Sequence, residues 1–205
     1  MGIPTKGVVM VAYGRKAMSE YGQARPSLRK NSDTPLMVFS DSELVAGDEA
    51  WLFDDQKSKG RWAKLNADII SPFEITCYVD VDVRLRGALV AGFQIIEDGW
   101  DMVLTMSARQ GGDVFGHLEP RDREATIVET GLEVLQLQAG MIFFHRERCH
   151  EFFATWREEW ARFRNLDQGA FARALQRVPL KIWVLGLPWN SAKGEVVEHR
   201  FGRAA

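Results

Sequence analysis

The amino-acid sequence predicts an α/β protein with one mixed central sheet flanked by helices. Short apolar runs, which are typical of buried strands, alternate along the chain with segments in which apolar residues recur at helical spacing. The 205 residues are also 46% hydrophobic and include 7 Trp and 12 Phe. This is enough apolar material for the core of a single domain that spans residues 1–205.

The predicted strands are short apolar runs. In chain order they cover residues 8–12, 36–40, 75–83, 100–106, 140–144 and 181–185. Residues that favour turns bound several of them: Tyr13-Gly14 follow the first run, Asp41 follows the second, and Ser71-Pro72 precede the third. We therefore expect these runs to be the strands of the sheet.

The predicted helices lie between these strands. Pro26 favours the first turn of a helix that continues to residue 30, because its missing N–H is not needed there. The spacing of Trp62, Leu65 and Ile69 predicts a helix that begins near residue 61. Further helices are predicted over residues 89–96, 152–163 and 170–178, and a polar loop with room for substrate recognition over residues 111–123.

Composition and charge argue against several classes of protein. The formal net charge is −2, which gives no general attraction to nucleic acid or to a membrane surface. With only Cys77 and Cys149, a disulfide framework is not expected and a reducing compartment fits. No apolar run reaches transmembrane length, and the first residues lack the apolar segment of a signal peptide. We expect a cytoplasmic protein.

The segment Tyr78-Val79-Asp80-Val81-Asp82-Val83 is the strongest functional signal in the chain. Side chains alternate along a strand, so Asp80 and Asp82 are expected to point the same way. Two ionised carboxylates held close together repel each other unless a cation lies between them, and hard divalent ions prefer oxygen ligands. An open α/β sheet binds ligands at the carboxyl ends of its strands. The pattern predicts a metal–diphosphate site.

A plainer interpretation is a solvated strand end that carries two acids, which is the commoner meaning of an isolated Asp-x-Asp. Companion segments in matching order favour the functional interpretation. They are Val8-Val9-Met10-Val11-Ala12-Tyr13-Gly14, Trp62-Ala63-Lys64-Leu65, Gln138-Ala139-Gly140-Met141-Ile142-Phe143, Asp167-Gln168-Gly169-Ala170-Phe171 and His199-Arg200-Phe201-Gly202. Together with the acidic segment, the series resembles the glycogenin and bacterial lipopolysaccharide galactosyltransferase family of GT-A-fold glycosyltransferases.

The resemblance implies a single GT-A-like, Rossmann-like domain. Residues 1–106 would bind the nucleotide sugar, and residues 107–205 would supply the acceptor side and a metal-binding tail. The tail, from Glu198 onward, would close over the diphosphate when the donor binds. The implied activity is a metal-dependent transfer of sugar from a nucleotide-diphosphate donor, taken as a UDP-sugar, with retention of the anomeric configuration.

The resemblance also implies a role for individual residues. Asp80, Asp82 and His199 are the expected ligands of Mn²⁺ or Mg²⁺, since a Mn²⁺ site accepts one imidazole beside carboxylates. Asp167 and Gln168 are the expected catalytic residues, with Gln168 near the reacting face of the sugar. The expected donor-binding residues are Ala12, Tyr13, Gly14, Asp41, Lys64, Asp80, Gln138, Gly140, Gly202 and Arg203.

The chain departs from the family pattern at three positions. Lys64 stands where arginine is usual, Gln138 where asparagine is usual, and Ala205 where a lysine usually reaches the donor phosphate. Arg203 is close enough in sequence to Ala205 to be expected to supply that charge. Structural explanations also exist: Asp167 suits the N-cap of the helix that follows it, and a lone histidine near a chain end, such as residue 199, is usually only solvated.

Three other functions fit part of the sequence. In a haloacid-dehalogenase-type phosphatase, Asp80 would be the nucleophile and Asp82 the acid/base, but that motif normally lies on the first strand. A nucleotidyltransferase would need a stronger basic, glycine-rich loop than Gly14-Arg15-Lys16. A non-catalytic nucleotide-sugar-binding module is compatible with the absence of the family lysine. The acceptor is open among a glycan, a lipopolysaccharide, a protein and modified DNA.

Overall fold

A sheet of buried strands forms the centre of the fold. The computed structural model describes residues 5–41, 49–52, 59–107 and 115–201. Its strands, in chain order, are β1 (Lys6–Ala12), β2 (Leu36–Ser40), β3 (Glu49–Leu52), β4 (Ile75–Val79), β5 (Val83–Leu85), β6 (Met102–Met106), β7 (Leu137–His145), β8 (Ile182–Leu185) and β9 (Val197–His199). Seven strands form one sheet in the order β3-β2-β1-β4-β7-β6-β8, and β5 pairs with β9 in a small second sheet.

The large sheet is mixed, which confirms the predicted fold class. β1 pairs in parallel with β2 and β4, whereas β7 pairs antiparallel with β4 and β6. β4 therefore lies between β1, to which it is parallel, and β7, to which it is antiparallel. The residues that follow Val79 leave the middle of the sheet at its carboxyl edge, where the first residues of β7 also lie.

Helices cover both faces of this sheet. In chain order they are α1 (Gly14–Asn31), α2 (Lys59–Leu65), α3 (Ala67–Ile70), α4 (Val90–Glu97), α5 (Pro120–Thr130), α6 (His150–Phe163) and α7 (Gln168–Arg177). One apolar cluster joins the sheet to α1 and α4, and a second joins it to α2, α3, α6 and α7. Val8 and Met10 belong to the first cluster and Val9 and Val11 to the second, so β1 is buried on both faces.

Some predicted elements have other bounds in the structure. α1 begins at Gly14, and Pro26 lies inside it; the buried positions Ala17, Tyr21 and Ala24 stabilise the earlier turns by packing on the sheet. The predicted strand over residues 75–83 ends at Val79. Asp80 N–H still bonds to the Gly140 carbonyl of β7, but a turn follows at residues 81–82.

Two further predictions concern the second half of the chain. Residues 111–114 of the predicted loop over residues 111–123 lie outside the described residues. Its last residues, from Pro120, are not loop but the first turn of α5. The segment expected to be a tail contains a strand, because Val83 pairs with His199 and Leu85 with Val197, which is buried. Among the described helices, none has the length and apolar character that crossing a membrane requires.

A buried ionic cluster joins α5, α6 and α7. The Arg173 side chain, 1% exposed, donates through Nε to Glu159 Oε2 at 2.7 Å and through Nη1 to Asp122 Oδ1 at 2.7 Å. Gly169, in the first turn of α7, lies so close to α5 that a Cβ there would be 2.7 Å from Asp122 Oδ1. This cluster therefore fixes where α7 begins, and with it the position of residues 167 and 168.

We expect Arg173→Met to lower the free energy of unfolding by about 3–5 kcal/mol, because it leaves the buried Asp122 carboxylate without its cation and removes the buried one of the cations that hold Glu159. Arg177→Met is the matched control. Arg177 also donates to Glu159, at 2.6 Å, but its side chain is 50% exposed, so its removal should cost at most about 1 kcal/mol. Urea unfolding followed by circular dichroism measures both. Similar losses in the two variants would contradict a structural role for the cluster.

Candidate active site

A cavity of about 660 Å³ opens at the carboxyl edge of β1 and β4. Most of the site residues predicted from the sequence line it. They are Tyr13, Lys64, Asp80, Asp82, Gln138, Gly140, Asp167, Gln168 and His199. They come from both halves of the chain and meet here because β1, β4 and the first residues of β7 end or begin at the same edge of the sheet.

Asp80, Asp82 and His199 form one cluster. One ligand atom from each, a carboxylate oxygen or an imidazole nitrogen, lies within 4.8 Å of the others. The pairing of β5 with β9 places His199 opposite Val83, next to Asp82. His199 Nε2 then lies 3.1 Å from Asp82 Oδ1, and both side chains are almost fully buried. The two acids meet through a turn after β4 and not, as predicted, as alternate residues of one strand.

Gly140 leaves the space in which this cluster is assembled. A Cβ at this position would clash with the His199 ring and would lie 3.0 Å from Asp80 Oδ2. Two carboxylates and one imidazole are a donor set that a divalent ion such as Mn²⁺ accepts, whereas Mg²⁺ is usually held by oxygen ligands and several waters. The donor set therefore fits the predicted metal.

The other oxygen of Asp80 is held by protein groups. The Tyr78 hydroxyl donates to Asp80 Oδ1 at 2.7 Å, and Lys64 Nζ lies 3.3 Å from the same atom. Burial, with a further contribution from the Asp80 charge, raises the pKa of Tyr78 well above its usual value, so the hydroxyl keeps its proton and remains a donor. These contacts turn Oδ2 toward Gly140 and His199.

Asp167 lies between two cations. Arg61 donates to its Oδ1, and Lys64 Nζ is 3.1 Å from its Oδ2, an ion pair without good hydrogen-bond geometry. Burial alone would raise the pKa of Asp167, but Lys64 and Arg61 outweigh it and lower the pKa to about 2. Burial likewise lowers the pKa of Lys64, but Asp167 and Asp80 outweigh this and raise it. Lys64 is therefore a charged link between Asp167 and Asp80.

Backbone and hydroxyl groups fix the two amide side chains. Gln168 donates through Nε2 to the Leu137 carbonyl at 2.8 Å, and Gln138 donates through Nε2 to Ser107 Oγ at 3.2 Å. Asp167 occupies the N-cap position of α7, but its side chain makes no capping hydrogen bond. The predicted N-cap position is therefore confirmed, but the carboxylate faces the two cations and does not cap the helix.

The residues expected to bind the nucleotide lie at the end of β1. Gly14 N–H donates to Asp41 Oδ1 at 2.9 Å, and Gly14 has a φ of +79°, which favours glycine. Tyr13 lines the cavity, and burial, followed by the Asp41 charge, raises its pKa to about 12. Ala12, fully buried, accepts from Ser40 Oγ through its carbonyl. Ala12, Gly14 and Asp41 adjoin the cavity without being among its lining residues.

Three predicted or discussed positions cannot be placed. Gly202, Arg203 and Ala205 lie outside the described residues. Some residues of the site were not predicted from the sequence. Arg61 lines the cavity and lies three residues before Lys64 on α2, so helical spacing alone could have indicated it. Asn190, which bonds to His199, carries no sequence signal of this kind.

No protein-family model matches the chain, and neither does any curated protein sequence. Solved structures do match. Mouse xyloside xylosyltransferase 1 superposes with a TM-score of 0.64 at 10% identity, over 98% of this chain and 99% of that one. The bifunctional glycosyltransferase WbbM gives 0.64 at 15% identity, over 96% of this chain, which spans 45% of WbbM.

A third structure, an active-site mutant of LgtC, gives a TM-score of 0.62 at 13% identity, over 96% of this chain and 87% of that one. LgtC is a galactosyltransferase that has also been solved with donor and acceptor sugar analogues. The identities are low, but the matches cover nearly the whole described sheet and its helices. The chain therefore has the fold of the GT-A glycosyltransferases, as the sequence predicted.

Proposed function

We propose that the protein is a metal-dependent glycosyltransferase that moves a sugar from a nucleotide-diphosphate donor, a UDP-sugar, to an acceptor with retention of configuration. The observation that carries the proposal is the cluster of Asp80, Asp82 and His199 within 4.8 Å, beside Lys64 and Asp167 in one cavity. The fold shared with glycosyltransferases supports it.

The charges that line the cavity explain why a cation is needed. Three carboxylates, Asp80, Asp82 and Asp167, face two permanent cations, Arg61 and Lys64, so the balance is 2 − 3 = −1 before a diphosphate enters. A divalent ion makes this balance positive and, when bound, stabilises the charge that develops on the leaving diphosphate. Arg61 and Lys64, which both line the cavity, can supply the charge-neutralising role expected of Arg203.

Retention is supported by the state of the carboxylates. A group that removes a proton from an acceptor near neutral pH should have a pKa close to that pH, whereas the pKa of Asp167 is lowered to about 2 by its two cations. Asp80 and Asp82 are assigned to the metal. Gln168 carries an amide, which cannot accept a proton and so can only orient or stabilise the sugar. No inverting base is therefore assigned among the described acids of the cavity.

The acidic pair favours this function over the phosphatase alternative. Asp80 and Asp82 follow β4, in the middle of the sheet, and not the first strand of the chain. One carboxylate oxygen of the supposed nucleophile, Asp80 Oδ1, already accepts from Tyr78 and Lys64. The proposed acceptor is one of the classes named above.

Mn²⁺ should strengthen UDP binding, and Asp82→Ala should weaken binding in Mn²⁺ by about 10–100-fold by removing a ligand. Asp98→Ala, which removes an exposed carboxylate after α4, should leave it unchanged. Isothermal titration calorimetry with UDP, in buffer that contains either Mn²⁺ or EDTA, measures the affinity of each protein. Equal affinities for UDP in the wild type and both variants, with and without Mn²⁺, would reject the metal site. If the wild type released no free sugar from any UDP-sugar, the protein would be a binding module and not an enzyme.

Gly140→Ala should lower Mn²⁺-dependent UDP binding as strongly as the loss of a ligand, because the added methyl group enters the space of His199 and Asp80. Gly22→Ala is the control. A Cβ at Gly22, on the exposed face of α1, meets nothing within 4 Å, so this change should keep binding intact and stabilise the helix by about 0.5–1 kcal/mol. Wild-type binding by Gly140→Ala would show that the cluster is not assembled around this glycine.

Gln168→Ala should lower turnover by about 10²–10³-fold, as expected when a group that stabilises the transition state is removed, while donor affinity stays near that of wild type. Gln94→Ala, an exposed amide on α4, serves as the control. Proton NMR of the earliest product from an α-linked donor reads the configuration of the new bond. A β-linked first product would overturn retention without affecting the metal site.

A further inference from the structure

A chain of buried hydrogen bonds leads from His199 away from the carboxylates. His199 Nδ1 lies 2.6 Å from Asn190 Oδ1, and Asn190 Nδ2 donates to Thr105 Oγ1 at 2.6 Å. The three residues are 4%, 0% and 1% exposed. On its other side, the imidazole faces Asp82 Oδ1 through Nε2. Both ring nitrogens therefore have a defined protein partner.

The direction of the Asn190 amide decides which nitrogen of His199 carries a hydrogen. An amide oxygen can only accept, so Nδ1 must be the donor in its bond to Asn190 Oδ1. A neutral imidazole has one N–H, which leaves a lone pair on Nε2. We infer that Asn190 is a positioning residue that fixes the Nδ1–H tautomer of His199 and so reserves Nε2 as the metal-binding atom. The part that concerns metal rests on the proposed function.

Asp82 competes for the same hydrogen. Its Oδ1, 3.1 Å from Nε2, can accept a hydrogen from that nitrogen, and a histidine held in this way could not bind a metal through Nε2. The 2.6 Å bond to Asn190 opposes this state by giving the hydrogen an acceptor at Nδ1. Without Asn190, the contact with Asp82 should dominate and the tautomer should reverse.

Asn190 is held firmly enough to impose this choice. It directly follows a short 3-10 helix, Leu187–Trp189, whose Trp189 ring packs against Phe143 at 6.3 Å between centroids. On the opposite side, the pairing of β6 with β7 shifts register between Leu104 and Thr105. Such bulges redirect side chains beside functional sites, and here the Thr105 hydroxyl meets Asn190.

Two variants separate positioning from packing. Asn190→Asp keeps an acceptor of the same shape toward Nδ1, and the Thr105 hydroxyl can donate to it instead of accepting. Asn190→Leu keeps a similar volume but offers no acceptor. We expect Asn190→Asp to retain the Nδ1–H tautomer and to bind Mn²⁺ within a factor of about three of wild type, and Asn190→Leu to show Nε2–H and to bind about 10–100-fold more weakly.

The tautomer is read in metal-free protein by two-bond ¹H–¹⁵N correlation spectra, at a pH where histidines are neutral. Four histidines contribute signals, and those of His199 are identified by their loss in His199→Gln. Mn²⁺ affinity is measured separately, with the ion alone, by the electron paramagnetic resonance signal of free Mn²⁺. Thermal unfolding without metal checks that each variant is folded.

An Nε2–H tautomer in the wild type overturns the inference, and this result needs no variant. Equal losses of Mn²⁺ affinity in Asn190→Asp and Asn190→Leu also overturn it, since they would indicate a packing role only. A wild type that binds no Mn²⁺ while showing the Nδ1–H tautomer would reject the metal dependence of the proposed function and support the positioning by Asn190. The two failures are therefore distinguishable.

Discussion

Crowded negative charge at the carboxyl edge of β4 is the constraint to which the rest of the cavity responds. Asp80, Asp82 and Asp167 line one cavity, in which their like charges repel each other. Arg61 and Lys64 offset part of this repulsion and tie Asp167 to Asp80. Under the proposed function, a cation that binds here together with a diphosphate compensates the charge that remains.

The supports of the cluster are spread over the fold. The β5–β9 pairing brings His199 to Asp82, and the ionic cluster around Arg173 sets the start of α7, and thereby Asp167. These elements belong to different layers of the protein, so the geometry of the cavity depends on the packing of the whole domain. Substitutions far from the cavity should therefore act on it by displacing the side chains that line it, without altering their chemical groups.

The sequence predicted the parts of the site that depend on local pattern. The alternation of elements was enough for the fold class, and the acidic segment was enough to locate Asp80 and Asp82 after a central strand. The predicted local geometry was wrong, because a turn, and not the alternation of side chains along a strand, brings the two acids together. Asn190 and Thr105 could not be predicted, since they are 85 residues apart and meet only because of a bulge and a 3-10 helix.

The position of His199 in the chain also has a consequence for the order in which the site is built during synthesis. Asp82 and His199 are separated by 117 residues. At translation rates of about 5–20 residues per second, His199 is made on the order of ten seconds after Asp82. During that interval the β4 edge carries its acids without the imidazole, and β5 has no β9 to pair with. All seven strands of the large sheet are therefore synthesised before the last residue of the three-residue cluster.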